Sequence, residues 1–230
     1  MRVLNVDLWQ WSLDEPEESI NHFSKDLSTE EHQRAERFVK LSDRSMYIVG
    51  RSGLRKILAE YVGVTSQTIQ FNYGPHGKPY LRDGPWFNLS HSGGLAALAV
   101  CTRSDPGLDI ELVRPIDDAV AKHNFSSAEY AELSRLPQAD RLQGFFRCWT
   151  RKEAVLKMLG HGLHMPLDSF DVTLSPDVPA KLNRIEDGDP TSWSLFHLEP
   201  APGWVGALAL RDTDGPVELC WQSGEPIVRA

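Results

Sequence analysis

Asp109 and Glu111 stand two residues apart in the segment Gly107-Leu108-Asp109-Ile110-Glu111-Leu112. If this segment is a strand, alternation puts Leu108, Ile110 and Leu112 on one face and both acids on the other. Their Cα atoms would then lie roughly 6.5 Å apart. Two carboxylates that close repel unless a cation stands between them, and hard oxygen ligands suit Mg²⁺ or Ca²⁺. The plainer reading is an amphipathic strand with a wet acidic face.

A second group lies on a predicted helix over 140–160. There Thr150, Glu153 and Lys157 share one stripe at i, i+3 and i+7, while Phe145, Trp149, Leu156 and Leu159 trace an apolar one. Glu153 and Lys157 form an i,i+4 pair in the favoured order, worth about 0.3–0.5 kcal/mol if it is only a surface pair. The helix carries large apolar groups around much of its circumference, so burial is expected, and a buried charge calls for partners.

The third group is Asn88-Leu89-Ser90-His91-Ser92-Gly93-Gly94. Hydroxyls, an imidazole and glycine amides at a strand end make either an anion cradle or a plain hairpin turn. A serine hydrolase is excluded. Ser90 and His91 are strand neighbours pointing to opposite faces, and no Gly-x-Ser-x-Gly elbow is present.

A fourth group is basic. Between 34 and 56 stand Arg34, Arg37, Lys40, Arg44, Arg51, Arg55 and Lys56 against only Glu36 and Asp43. That window is positive within a chain of net charge −8. A solvated helix face explains part of it. A polyanionic small molecule explains the rest, since Arg reads phosphate through charge-assisted bonds.

These side chains need elements to position them. A first strand is predicted over 3–11. Ser28 looks like an N-cap followed by acids, opening a helical stretch over 30–62 that breaks near 41–43 and ends at Gly63. Strands follow at 86–90, 95–100 and 107–113, the first two joined by Gly93-Gly94. Helical patterns return at 116–136 and 140–160, and strands resume from Phe170. The run Gly94–Val100 is echoed by Gly203–Leu210, each a small-apolar strand after a glycine. The echo suggests two related α+β halves, 1–112 and 113–230, although buried strands also look alike by default.

Composition agrees with an ordinary globular chain of 230 residues, 41% hydrophobic and 24% charged. The acidic balance argues against a general nucleic-acid binder. Cys101, Cys148 and Cys220 are widely separated, which argues against a zinc site or disulfide framework and suits a reducing cytoplasm. The longest apolar run, Leu95–Cys101, is too short to span a bilayer, and no signal-peptide h-region opens the sequence.

Four motifs occur in order: Gly77-Lys78-Pro79, Phe87-Asn88-Leu89-Ser90-His91-Ser92, Gly107-Leu108-Asp109-Ile110-Glu111, and Trp149-Thr150-Arg151-Lys152-Glu153-Ala154-Val155-Leu156-Lys157. Together they resemble the 4′-phosphopantetheinyl transferase superfamily, in particular the monomeric surfactin-synthetase-type enzymes. The resemblance implies an α+β fold of two similar halves related by a pseudo-twofold. The first half would take the nucleotide side of coenzyme A, the second the catalytic helix and the carrier.

The implied reaction moves the phosphopantetheine arm of coenzyme A onto a serine of an apo acyl or peptidyl carrier protein, releasing adenosine 3′,5′-bisphosphate. Carried over motif by motif, Asp109, Glu111 and Glu153 would hold Mg²⁺ on the pyrophosphate, and Lys157 would contact that pyrophosphate. Asn88, Ser90 and His91 would cradle the 3′-phosphate side, and Lys78 would line the same nucleotide. Glu153 would be the base, directly or through water. The resemblance departs at Glu31 and Ser42, where relatives often carry basic residues; Lys40, Arg44 or Arg51 are the candidate substitutes. By family analogy the carrier would dock on 116–136, with Lys122, His123, Phe125 and Arg135. The chain is expected to work as a cytoplasmic monomer, with no nucleic-acid or membrane partner. The rival readings are a non-catalytic binding module for coenzyme A or a carrier, and an Mg²⁺-dependent nucleotide pyrophosphate hydrolase.

Overall fold

The computed structural model describes residues 3–160, 165–186, 188–213 and 215–222. The chain is mixed α/β. The first strand, β1 (Leu4–Ser12), alternates Leu4, Val6 and Leu8 inward, and is followed by the short helix α1 (Glu17–Ser24), which the apolar periodicity did not announce. Ser28 caps α2 (Thr29–Ala35) in a reciprocal box: its hydroxyl accepts the Glu31 amide, and the Glu31 carboxylate accepts the Ser28 amide.

The expected helix over 30–62 is thus two helices. The break falls at residues 36–40, just before α3 (Leu41–Val62), which ends at Gly63 with φ +70°. A small ribbon, β2 (Asn72–Tyr73) with β3 (Pro79–Tyr80), carries the 74–78 loop. The hairpin β4 (Trp86–Ser92) and β5 (Leu95–Cys101) turns at Gly93-Gly94, both with positive φ.

β6 (Gly107–Leu112) opens the second part of the chain. The predicted helix over 116–136 is split into α4 (Asp118–Asn124) and α5 (Ser127–Arg135), because Ser126 and Glu129 form a second capping box. The helix α6 (Arg141–Leu159) runs close to its expected span. Then come β7 (Phe170–Val172), β8 (Leu182–Ile185), β9 (Trp193–Leu198), β10 (Trp204–Arg211) and β11 (Val217–Trp221).

Two larger sheets result, ordered β11-β1-β5-β4 and β6-β10-β9, beside the two-stranded pairs β2-β3 and β7-β8. In each larger sheet, a leading strand pairs antiparallel with the second strand of a later hairpin. The sheets do not follow a division at residue 112, since 107–112 belong to the second and 217–221 pair parallel with β1 in the first.

The core has three parts. Trp11, Ile48, Leu54, Leu58, Phe87 and Leu98 pack α3 onto the first sheet. Phe145, Phe146, Val155, Phe170, Trp193 and Ala207 pack α6 onto the second. Val6, Leu8, Ala97, Leu108, Ile110 and Leu208 join the two sheets. Gly107 is where α6 and β6 touch: a Cβ there would lie 1.9 Å from the Ala154 carbonyl oxygen, so only glycine fits.

Candidate active site

The seam between β4 and β6 carries the site. Three alternate side chains of β4 reach across to three alternate amides of β6. Asn88 Oδ1 accepts the Leu108 N–H at 2.7 Å, Ser90 Oγ accepts the Ile110 N–H at 3.2 Å, and Ser92 Oγ accepts the Leu112 N–H at 3.2 Å. A side-chain ladder thus stands where, among the described residues, no backbone ladder links the two sheets, and it satisfies amides that burial would otherwise leave unpaired. Asn88 and Ser90 are buried, and each gives one side-chain oxygen to this seam. Ser90 and His91 do point to opposite faces, as a strand requires, and His91 lines a cavity on the other side.

The two serines also hold the acids. Ser90 Oγ donates to Asp109 Oδ1 at 3.1 Å, and Ser92 Oγ donates to Glu111 Oε2 at 2.6 Å. Asp109 is only 4% exposed, so the wet acidic face is not what forms. The Lys157 ammonium reaches across from α6 to Asp109 Oδ1 at 2.6 Å and to Ser90 Oγ at 3.0 Å. The expected Glu153–Lys157 pair along the helix therefore gives way to one between helix and strand.

Burial pushes the Asp109 carboxyl up, Lys157 opposes this, and the Glu111 charge adds to it. Burial likewise raises Glu153, and the charges of Asp109 and Glu111 raise it further against Lys157. The three acids therefore feel one another, although they come from one strand and one helix.

Asp109 Oδ2 is buried with no hydrogen-bond partner. An orphaned buried carboxylate oxygen, beside two further acids, is the donor chemistry of a hard divalent cation. The residues fit such an ion on that ground. Among the described residues, no group of three or more His, Cys, Asp or Glu side chains is placed so that it could hold a metal ion as the side chains stand.

Two cavities flank the seam. A 290 Å³ one is lined by Glu153, Lys157, Asn88, Leu89 and the 76–79 loop. A 750 Å³ one is lined by Arg34, Arg37, Tyr47, Arg51, Leu89 and His91, among others. They share Gly77, Pro79 and Leu89.

The basic residues divide differently from expectation. Arg51 lines the larger cavity, but its Nε donates to Glu31 Oε1 at 2.7 Å and its guanidinium lies over Phe71. Arg55 is buried on the other Glu31 oxygen. One carboxylate, Glu31, thus engages two of the α3 arginines. Arg44 lines a separate cavity among α1, α2 and α3. Arg34 and Arg37, which the sequence offered only as part of a run, are the lining cations that form no ion pair among the described residues. Lys78 borders the smaller cavity, yet its ammonium is held by Asp105 Oδ1 at 2.6 Å and the Pro106 and Met158 carbonyls. It pins the loop to the C-terminal end of α6.

One residue before Glu153 in the chain, Lys152 is fully buried. Its ammonium contacts Glu129 Oε2 at 2.8 Å and the Leu167 and Phe170 carbonyls. This motif lysine therefore anchors α6. On the segment expected to dock a carrier, Lys122, His123 and Arg135 are exposed, but Phe125 is in the core with its ring 5.2 Å from that of Phe145.

The sequence matches a known class. Residues 105–209 match the family model described as the 4′-phosphopantetheinyl transferase superfamily, and residues 9–103 match the one described as 4′-phosphopantetheinyl transferase, N-terminal. The chain belongs to the 4′-phosphopantetheinyl transferase superfamily. Within it, this is a transferase of the surfactin-synthetase type.

The chain is 39% identical over 212 residues to the 4′-phosphopantetheinyl transferase HetI of Nostoc sp., covering 89% of this chain and 87% of the relative. It is 29% identical over 215 residues to the 4′-phosphopantetheinyl transferase Sfp of Bacillus subtilis, covering 92% and 94%. A solved holo-(acyl-carrier-protein) synthase of Thermotoga maritima aligns with TM-score 0.37 and 17% identity, covering 46% of this chain and 62% of its own, a likeness too slight to argue from. No helix among the described residues is long and apolar enough to cross a membrane.

Proposed function

We propose that the protein transfers the 4′-phosphopantetheine arm of coenzyme A to a serine hydroxyl of an apo acyl or peptidyl carrier protein. A new serine O–P bond forms, the pyrophosphate P–O bond breaks, and adenosine 3′,5′-bisphosphate leaves. The observation that carries this reading is Asp109: buried, one oxygen on Lys157, the other unpartnered, and coupled to Glu111 and Glu153.

Asp109, Glu111 and Glu153 would hold Mg²⁺. When bound, that ion supplies charge neutralisation on the pyrophosphate and stabilises the leaving oxygen. Lys157 adds a fixed positive charge from the helix side, held in place by Asp109 and Ser90 before substrate arrives. Glu153 accepts the serine proton, directly or through water. Arg34, Arg37 and His91 receive the nucleotide phosphates in the larger cavity, with Arg51 partly screened by Glu31. The β1-β5-β4 and β6-β10-β9 units are related by a pseudo-twofold, a relation supported by the matching strand orders and by Gly94 and Gly203, each at positive φ before an inner strand of its sheet. The protein works as a cytoplasmic monomer without a nucleic-acid or membrane partner.

The test mixes the chain with apo carrier, coenzyme A and Mg²⁺ and reads the carrier mass. The wild type adds the arm; Asp109→Ala and Glu153→Gln, correctly folded, do not. An unchanged mass across several carriers overturns the reading. Release of phosphopantetheine from coenzyme A without a carrier favours hydrolysis instead.

A further inference from the structure

We propose that Ser92 is a positioning residue for this reaction, acting through Glu111. The inference rests on Glu111 being a cation ligand, and it concerns what makes Glu111 one.

A serine hydroxyl has one proton and two lone pairs. In Ser92 one lone pair takes the Leu112 N–H at 3.2 Å, and the proton goes to Glu111 Oε2 at 2.6 Å. The amide fixes where the oxygen sits; the oxygen fixes where the carboxylate sits. Glu111 is only half-buried, and a glutamate on a strand otherwise has several rotamers to lose before it can bind an ion. The Ser92 hydroxyl removes that freedom in advance.

Ser92 is itself held from both parts of the fold. Its carbonyl accepts the Trp204 indole N–H at 2.8 Å, and Trp204 lies opposite Leu112 in the second sheet. The next residue, Gly93, has φ +55°, and a Cβ there would come within 2.6 Å of the Leu112 side chain. One rung earlier the arrangement repeats. Ser90 accepts the Ile110 N–H and donates to Asp109. Two consecutive seam serines therefore each hold the acid preceding the amide they accept. Hydrogen-bond partners behind a ligand typically change metal affinity or activity 10–100-fold when removed.

The probe is Mn²⁺ alone, titrated into the full chain and read by electron paramagnetic resonance. Ser92→Ala is expected to weaken Mn²⁺ binding about 10–100-fold and to raise the apparent Mg²⁺ constant for transfer, leaving KM for coenzyme A in place. Ser92→Thr, which keeps the hydroxyl on a β-branched residue suited to a strand, is expected to restore it. In a Glu111→Gln background, Ser92→Ala should add no further loss of Mn²⁺ binding.

Wild-type Mn²⁺ binding in Ser92→Ala, with only the thermal midpoint lowered, overturns the proposal, as do additive losses in the double variant. If Ser92→Ala does not fold, Ser92→Cys, whose thiol is a weak donor, must show the loss instead. A wild-type chain that binds no Mn²⁺ overturns the cation-ligand reading along with this proposal; a wild type that binds it, with Ser92→Ala unchanged, overturns this proposal alone.

Discussion

Lys157 and Asp109 are brought together from different elements: the ammonium on α6 stands 2.6 Å from the carboxylate on β6. The lysine side chain is 30% exposed and the aspartate side chain 6%, so the pair has one wet end and one dry end. The dry end orients the lysine, and the wet end lets its charge face the 290 Å³ cavity. On the proposed mechanism, removing the ammonium removes a preorganised charge from the transition state, not simply a surface bridge. Lys157→Met is expected to lower kcat about 10²-fold or more, the scale for one lost electrostatic contact. Steady-state transfer to an apo carrier checks this; a kcat near wild type would contradict it.

Arg34 and Arg44 are ten residues apart and serve different cavities. If the larger cavity takes nucleotide phosphates, Arg34→Ala loses one charge-assisted bond, about 1.5–3 kcal/mol. KM for coenzyme A should then rise roughly tenfold or more. Arg44→Ala should leave that KM where it is. Equal effects from the two variants would show that the cavity assignment is wrong.

Asn88 holds the sheets together without touching the acids. Asn88→Ala strands the buried Leu108 N–H, and an unsatisfied buried donor costs about 1–3 kcal/mol. Urea unfolding should show that loss, and an unshifted midpoint would mean that the amide finds another partner.

Glu31 makes stability depend on pH. Burial pulls its carboxyl upward, but the Arg51 charge, the Ser28 amide and hydrogen bonds from Arg51 and Arg55 carry it below the ordinary carboxylate range. Its folded pKa is therefore lower than its unfolded one. The stability it contributes is complete above the unfolded value of about 4.3 and is lost as pH falls through the folded value. Glu31→Gln should be less stable than wild type at pH 7, and the gap should narrow as pH drops below about 4. A gap that stays constant with pH, in denaturant unfolding, would exclude this origin.

The sequence by itself determined the elements and the cast of residues. Alternation at 107–112, the Ser28 box, the Gly63 cap and the apolar stripe of α6 are local patterns, and local patterns survive in one dimension. The ordered motifs were sufficient to place the chain in its family.

Partnership was decided only in three dimensions. No spacing rule says that Lys157 prefers a carboxylate 48 residues away to the glutamate one helical turn before it. Nor does any announce that Asn88 and Ser90 serve the β6 amides, that Lys78 is held by Asp105, or that Gly107 marks a helix–strand contact. Each depends on which oxygen or amide burial leaves unpaired, and that is set when two sheets and a helix close on one another. A charged side chain then takes the partner that the dry interior makes most costly to leave alone.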